Sequence, residues 1–183
     1  PRDAPRRFTE LTNSIWRGQF AMAYPLFGTT ATHFLALRSL ATEADWREWC
    51  RALAANEPMI VDGNSVVVRQ VGRGEVALGM TDIDDILAGQ REGYPIAALP
   101  IPADALLVPN TAGLIRGGPN PGGGRQFIEW LTRPETLQRL VTINAIEGVD
   151  ASEVEAGTLK PDWARMLAEL EPATEELKQS FLR

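Results

Sequence analysis

Short apolar runs alternate with helical stripes through the first hundred residues, and this alternation limits the possible folds more than any other feature. Phe20-Ala21-Met22-Ala23-Tyr24, stopped by Pro25, reads as a buried strand. Leu26-Phe27-Gly28-Thr29-Thr30 then turns into a helix bearing Ala31, Phe34, Leu35, Leu37 and Leu40. Trp46, Trp49, Cys50 and Leu53 recur at helical spacing, so they line one face of a second helix. Thr42 and Asp45 supply its capping box.

Met59-Ile60-Val61 is a second strand, closed by the turn signal Asp62-Gly63. Asn64 and Ser65 are good N-caps for a short helix from Val66 to Val71. Val76 to Met80 is a third strand, and Thr81, with Asp84 three residues on, is placed to cap a helix through Ile86 and Leu87. Ile96 to Leu99 is a fourth apolar run. Strands alternating with helices every 15 to 25 residues or so define an α/β architecture with a largely parallel sheet. The expectation is a three-layer lobe, with about five strands between helices on both faces and a helical C-terminal region.

The second half changes character. Ala105 to Ile115 reads as two short strands around Pro109-Asn110, and Gly117 to Gly124 as a surface loop. Prolines in that loop remove amide donors, and no Lys follows, so it is not a phosphate cradle. Phe127, Ile128, Trp130 and Leu131 form an amphipathic helix, and Pro134 starts another. Trp163, Met166, Leu167 and Leu170 form one stripe, with Leu177 and Phe181 beyond Pro172. The opening, Pro1 to Arg7, is basic and proline-bearing with no apolar stretch behind it. It reads as a connector cut from a longer protein rather than a signal peptide.

Composition removes most common chemistries. Cys50 is the only cysteine and His33 the only histidine, which excludes disulfides within the chain and zinc sites built from several Cys and His. No G-x-S-x-G elbow and no P-loop is present. Cys50 reads as a small buried hydrophobe, and His33 as a solvated surface residue. The net charge of -6, from 18 basic and 24 acidic residues, argues against nucleic acid or an anionic membrane as partner. No apolar run approaches the roughly 18 residues of a membrane-spanning helix.

In parallel sheets, ligands sit beyond the carboxyl ends of the strands, where helices begin. Three such junctions can be read. Thr29 and Thr30 open a helix, suited either to an anion or to ordinary capping. Asn64 and Ser65 have the same two readings. Asp82, Asp84 and Asp85 favour a helix start, and they could equally form half a shell for a hard cation or hold the ammonium or hydroxyls of an organic solute. Their spacing is not that of an EF-hand, and the metal, if any, stays open. No cofactor is implied. Capture of a small polar or ionic solute is the leading reading. The alternative is a metal-dependent hydrolase or phosphatase using Asp82, Asp84 and Asp85 around magnesium, but no evident base or nucleophile accompanies them.

The order of motifs resembles the type II periplasmic solute-binding proteins of ABC importers, nearest the ferric-ion-binding branch. The resemblance rests on Leu11-Thr12-Asn13-Ser14-Ile15-Trp16-Arg17-Gly18, Ala23-Tyr24-Pro25-Leu26-Phe27-Gly28-Thr29-Thr30 and Gly74-Glu75-Val76-Ala77-Leu78. Leu107-Val108-Pro109-Asn110-Thr111-Ala112 and the stretch from Gly118-Pro119-Asn120-Pro121 to Leu131 complete it. It runs over most of Leu11 to Val141 and implies the second half of a two-lobed protein. On that plan, residues 1–14 are a connector, 15–106 a ligand-binding lobe, and 107–183 crossover strands and C-terminal helices. The resemblance also implies a periplasmic location, a membrane permease as partner, and iron, another metal or an oxyanion among the ligands. One departure stands out. Where the ferric branch carries two adjacent tyrosines, this chain has Asp84-Asp85, and its only tyrosines are Tyr24 and Tyr94. A second copy of the chain is a further expected partner, because apolar helices lacking the other lobe would otherwise stay bare.

Overall fold

A strand whose four residues are all buried organises the molecule. This is β1, Phe20–Ala23. A computed structural model describes residues 4–99, 101–149 and 158–182; Pro1 to Asp3 of the basic opening segment lie outside them. On either side of β1 run β2 (Met59–Val61) and β3 (Leu78–Met80), both parallel to it, in the order β2-β1-β3. Met22 stands opposite Ile60, and Ala21 opposite both Met59 and Gly79.

Side chains alternate across a strand, and β1 uses both faces. Phe20 and Met22 pack with Phe34, Trp46, Cys50, Leu53 and Leu177. These come from α1 (Gly28–Leu40), α2 (Glu43–Ala55) and α8 (Leu170–Phe181). Ala21 meets Val67 of α3 (Asn64–Gly72) and Val76 on the other face. The result is a three-layer arrangement of helices on both faces of a small parallel sheet. At Gly79, a Cβ would stand 2.5 Å from Val67 Cγ1 and 2.9 Å from Val71 Cγ2, so glycine there sets how close α3 approaches.

Among the described residues the sheet has three strands, not about five. The fourth apolar run finds other partners. The Ile96 carbonyl accepts from Gln90 Nε2 at 2.9 Å, and the Ile96 side chain packs at Gly89 of α4 (Ile83–Arg91). Of the run from Ala105 to Ile115, only Leu106 pairs, in a single bridge to Leu159. Leu114 and Ile115 lie exposed.

The α2 cap forms as expected, with the Asp45 amide donating to Thr42 Oγ1 at 3.2 Å. The Asp45 carboxylate accepts the Thr42 hydroxyl at 2.7 Å instead of reaching the backbone. The stripe from Trp163 to Leu170 is broken. It ends as α7 (Trp163–Ala168), and α8 begins after Glu169. Pro172 falls within the first turn of α8, where its missing amide costs nothing. Arg38 of α1 forms ion pairs with Glu169 and with Glu176, the latter at 3.0 Å.

The chain divides into two compact units, Pro1–Leu106 with Ala156–Arg183, and Leu107–Glu155. The second contains α5 (Pro121–Leu131) and α6 (Pro134–Thr142). Asn120 caps α5 by accepting the Gly123 amide at 2.9 Å. Among the described residues of this unit only Thr136 is buried.

Candidate functional site at the carboxyl edge of the sheet

All three strands point the same way, so the helices that follow them begin at one edge. There Thr29 of α1, Asn64 of α3 and Asp82, the residue before α4, form a closed triangle. The Thr29 hydroxyl donates to Asp82 Oδ2 at 2.8 Å. Asn64 Nδ2 donates to the same oxygen at 2.7 Å and lies 2.9 Å from Thr29 Oγ1. Asn64 Oδ1 is shut off from solvent without a hydrogen-bond partner. Asp84 and Asp85 complete the group, each offering an oxygen within 4.8 Å of the others and of Asp82. Burial, then the charges of Asp84 and Asp82, raise the pKa of Asp85 above the ordinary value.

This arrangement corrects two expected caps. Asn64 is inside α3, whose N-cap is Gly63, and its side chain reaches across the sheet edge rather than to its own helix. Thr81 does not cap α4; Asp82 holds that position without bonding the first-turn amides, and its Oδ2 accepts from Thr29 and Asn64. Phe27, at the N-cap of α1, offers no side-chain acceptor either. Three helix starts thus meet beside a carboxylate cluster with none of them capped by its own side chain. The edge offers positive dipole ends and negative carboxylates together.

Two residues from the same junctions are not brought into the triangle. Thr30 is buried, with 4% of its surface exposed. Ser65 is exposed and lines a cleft of about 40 Å³ with Asp85 and Tyr94, among others. Tyr94, set apart from the acids in sequence, is therefore close to Asp85 in space. Tyr24 stacks on Phe27 at 6.2 Å between ring centres.

His33 is not the solvated residue its position suggested. It is half-buried, with Nε2 2.6 Å from the Asp104 carbonyl, and burial lowers its pKa below the ordinary value. Sequence reading missed Asp104, although a lone acid within the apolar stretch from Ile101 to Val108 was the available signal. Cys50 is buried as expected, and burial pushes its thiol up to about 12, so it is inert.

No family model matches the sequence, and no curated protein matches it either. Solved structures do. One is iron-bound HitA from Pseudomonas aeruginosa, with a TM-score of 0.69 at 16% identity over 98% of this chain and 62% of that one. Another is described as a two-component system protein that mediates signal transduction, with a TM-score of 0.65 at 18% identity over 93% of this chain and 62% of that one. The chain thus spans less than two thirds of each. These likenesses show the fold, a mixed helix and sheet structure similar to a periplasmic-binding-protein lobe. No described helix is long and apolar enough to cross a membrane.

Proposed function

We propose that this chain binds a small polar or ionic solute at the carboxyl edge of its sheet, as the ligand-binding part of an ABC importer. The observation that carries the reading is the triangle of Thr29, Asn64 and Asp82, with Asp84 and Asp85 beside it. Three chain segments converge there on acceptors that outnumber their internal donors. A ligand bringing positive charge fits the carboxylates, and the uncapped helix starts suit an accompanying oxyanion. The fold shared with iron-bound HitA supports solute capture, and the absence of paired tyrosines at Asp84-Asp85 points away from phenolate ligation of ferric iron. Delivery to a membrane permease in the periplasm completes the reading.

Asp85 separates a ligand-binding role from a structural one. Its folded pKa is raised, so its contribution to stability falls as pH rises through that value. Asp85→Asn should therefore stabilise the free protein at pH 7 by about a few tenths of a kcal/mol, read as a raised melting temperature. The same variant should lose binding in titration calorimetry with manganese, magnesium and ferric citrate. Equal binding by wild type and variant across the panel would reject the site. Magnesium-dependent turnover of a phosphate ester, abolished by Asp84→Ala, would replace binding with the hydrolase reading.

A second copy of the chain is proposed as a partner for the exposed α5 face with Phe127 and Trp130. Light scattering that reads a monomer at every concentration would remove that partner.

A further inference from the structure

Asp104 gathers groups from distant parts of the chain. Its side chain is 4% exposed and accepts Arg7 Nε at 3.0 Å on both oxygens, Arg7 Nη2 at 2.7 Å and the Phe8 amide at 2.6 Å. Its carbonyl lies 2.6 Å from His33 Nε2, which donates, because a carbonyl only accepts. The Phe8 ring meets the imidazole edge-on at 4.6 Å. One residue further, the Ala105 carbonyl accepts the Leu159 amide at 2.8 Å, and Leu106 bridges Leu159. The chain leaves for the second unit after Leu106 and has returned by Leu159, so both connections pass this point.

We propose that Asp104 and Ala105 are the centre of a clasp in which the entering segment at Arg7-Phe8, the leaving segment and the returning segment at Leu159 open and close as one. Its bonds cannot be loosened singly. The Asp104 side chain and carbonyl share one α-carbon, and a planar peptide joins that carbonyl to Ala105. The Asp104 and Ala105 amides both donate to the Ile101 carbonyl at 3.1 Å, which fixes the turn that carries them. Drawing Arg7 away leaves a buried carboxylate without its counter-charge, a cost that moving the whole turn toward water relieves. The clasp is also thinly covered. Arg6, Arg7, Thr9 and Glu10 are exposed and Leu106 and Leu159 half-buried, whereas Ala21 and Met22 of β1 are at 0% exposure. Sparse apolar cover belongs to the low end of local stability, so the clasp opens while the sheet stays intact. Its opening releases both connections to the second unit together. This clasp does not depend on what the sheet edge binds.

Amide exchange of the whole chain in low urea supplies the test. The Phe8 and Leu159 amides should share one opening free energy and one urea dependence. Both should be smaller than those of the Tyr24 amide, which bonds the Val61 carbonyl at the sheet. Arg7 is bonded to Asp104 and not to Leu159. Arg7→Ala should nevertheless lower protection at Phe8 and at Leu159 by the same factor, about tenfold or more, with Tyr24 unchanged. A loss at Phe8 alone would make these contacts independent and overturn the clasp. An equal fall at Tyr24 would make the opening global and overturn it too. So would different opening free energies for Phe8 and Leu159 in the wild-type protein, whether or not the variant folds.

Discussion

Helices α2 and α5 carry similar sequence patterns and meet opposite fates. In α2, three of the stripe's four residues, Trp46, Cys50 and Leu53, are driven under cover, to between 1% and 3% exposure, and Trp49 is partly buried against the same cluster. In α5, Phe127 and Trp130 lie 58% and 48% exposed, with their rings against each other at 5.8 Å between centres. Both helices have a sound N-cap, from Thr42 and Asn120, so local signals do not separate them. The sheet does. α2 belongs to the unit containing β1, whose Phe20 and Met22 give its stripe something to pack against, and the α5 unit has no strand among its described residues. An amphipathic stripe specifies a face, and the rest of the fold decides whether that face is covered.

The largest expected contrast comes from matched truncations. Phe34→Ala removes a ring at 0% exposure and should cost about 3–5 kcal/mol, read from urea midpoints. Phe127→Ala in dilute protein should cost less than about 1 kcal/mol. Equal losses would mean that the α5 face is covered in solution, and the contrast between the units would fail.

Next in size is Arg38, 17% exposed, which ties α1 to Glu169 and Glu176. Arg38→Ala should cost about 2 kcal/mol, less than a fully buried pair because both glutamates keep some solvent. The Arg38 hydrogen bond, and for Glu169 chiefly that of Arg165, holds both glutamates below their ordinary value of 4.5. That stabilisation is present above pH 4.5 and is lost as pH falls below it. Wild type and Arg38→Ala should therefore converge in melting temperature on acidification.

Two glycines sharpen the comparison at smaller scale. Gly79→Ala drives a methyl into Val67 and Val71 and should cost about 1–2 kcal/mol. Gly122→Ala, early in α5, meets nothing nearer than Asn120 Oδ1 at 4.0 Å. Its better helix propensity should leave thermal stability unchanged or raised by up to about 1 kcal/mol.

What the sequence disclosed depends on where each residue's partner lies. The stripe at Trp46, Trp49, Cys50 and Leu53 was legible because helical spacing is local, as was β1, because a central parallel strand is apolar throughout. Asn64 and Thr81 were misread as caps. Their neighbours in sequence supply the cap pattern, and their partners lie on other strands' connections, 35 residues away for Asn64 and Thr29. Ile96 to Leu99 looked like a strand because its apolarity is visible, whereas its docking on Gly89 is not. The three junctions at Thr29, Asn64 and Asp82 were legible from the α/β rule alone; that they share hydrogen bonds was not. Asp104 stood out as a lone acid in an apolar stretch, but its partner Arg7, 97 residues away, could not be read from it.

The core around β1 also has an order in time. Leu177, at 1% exposure, closes the same cluster as Phe20 and Phe34, and Phe181 packs against it. Ribosomes add roughly 5–20 residues per second, so Phe34 waits on the order of ten seconds before the segment that covers it exists. Through that interval the apolar side of α1 and α2 is bare, and β1 must find β2 and β3 without its final lid. A chain built this way keeps that apolar surface bare until α8 has been made.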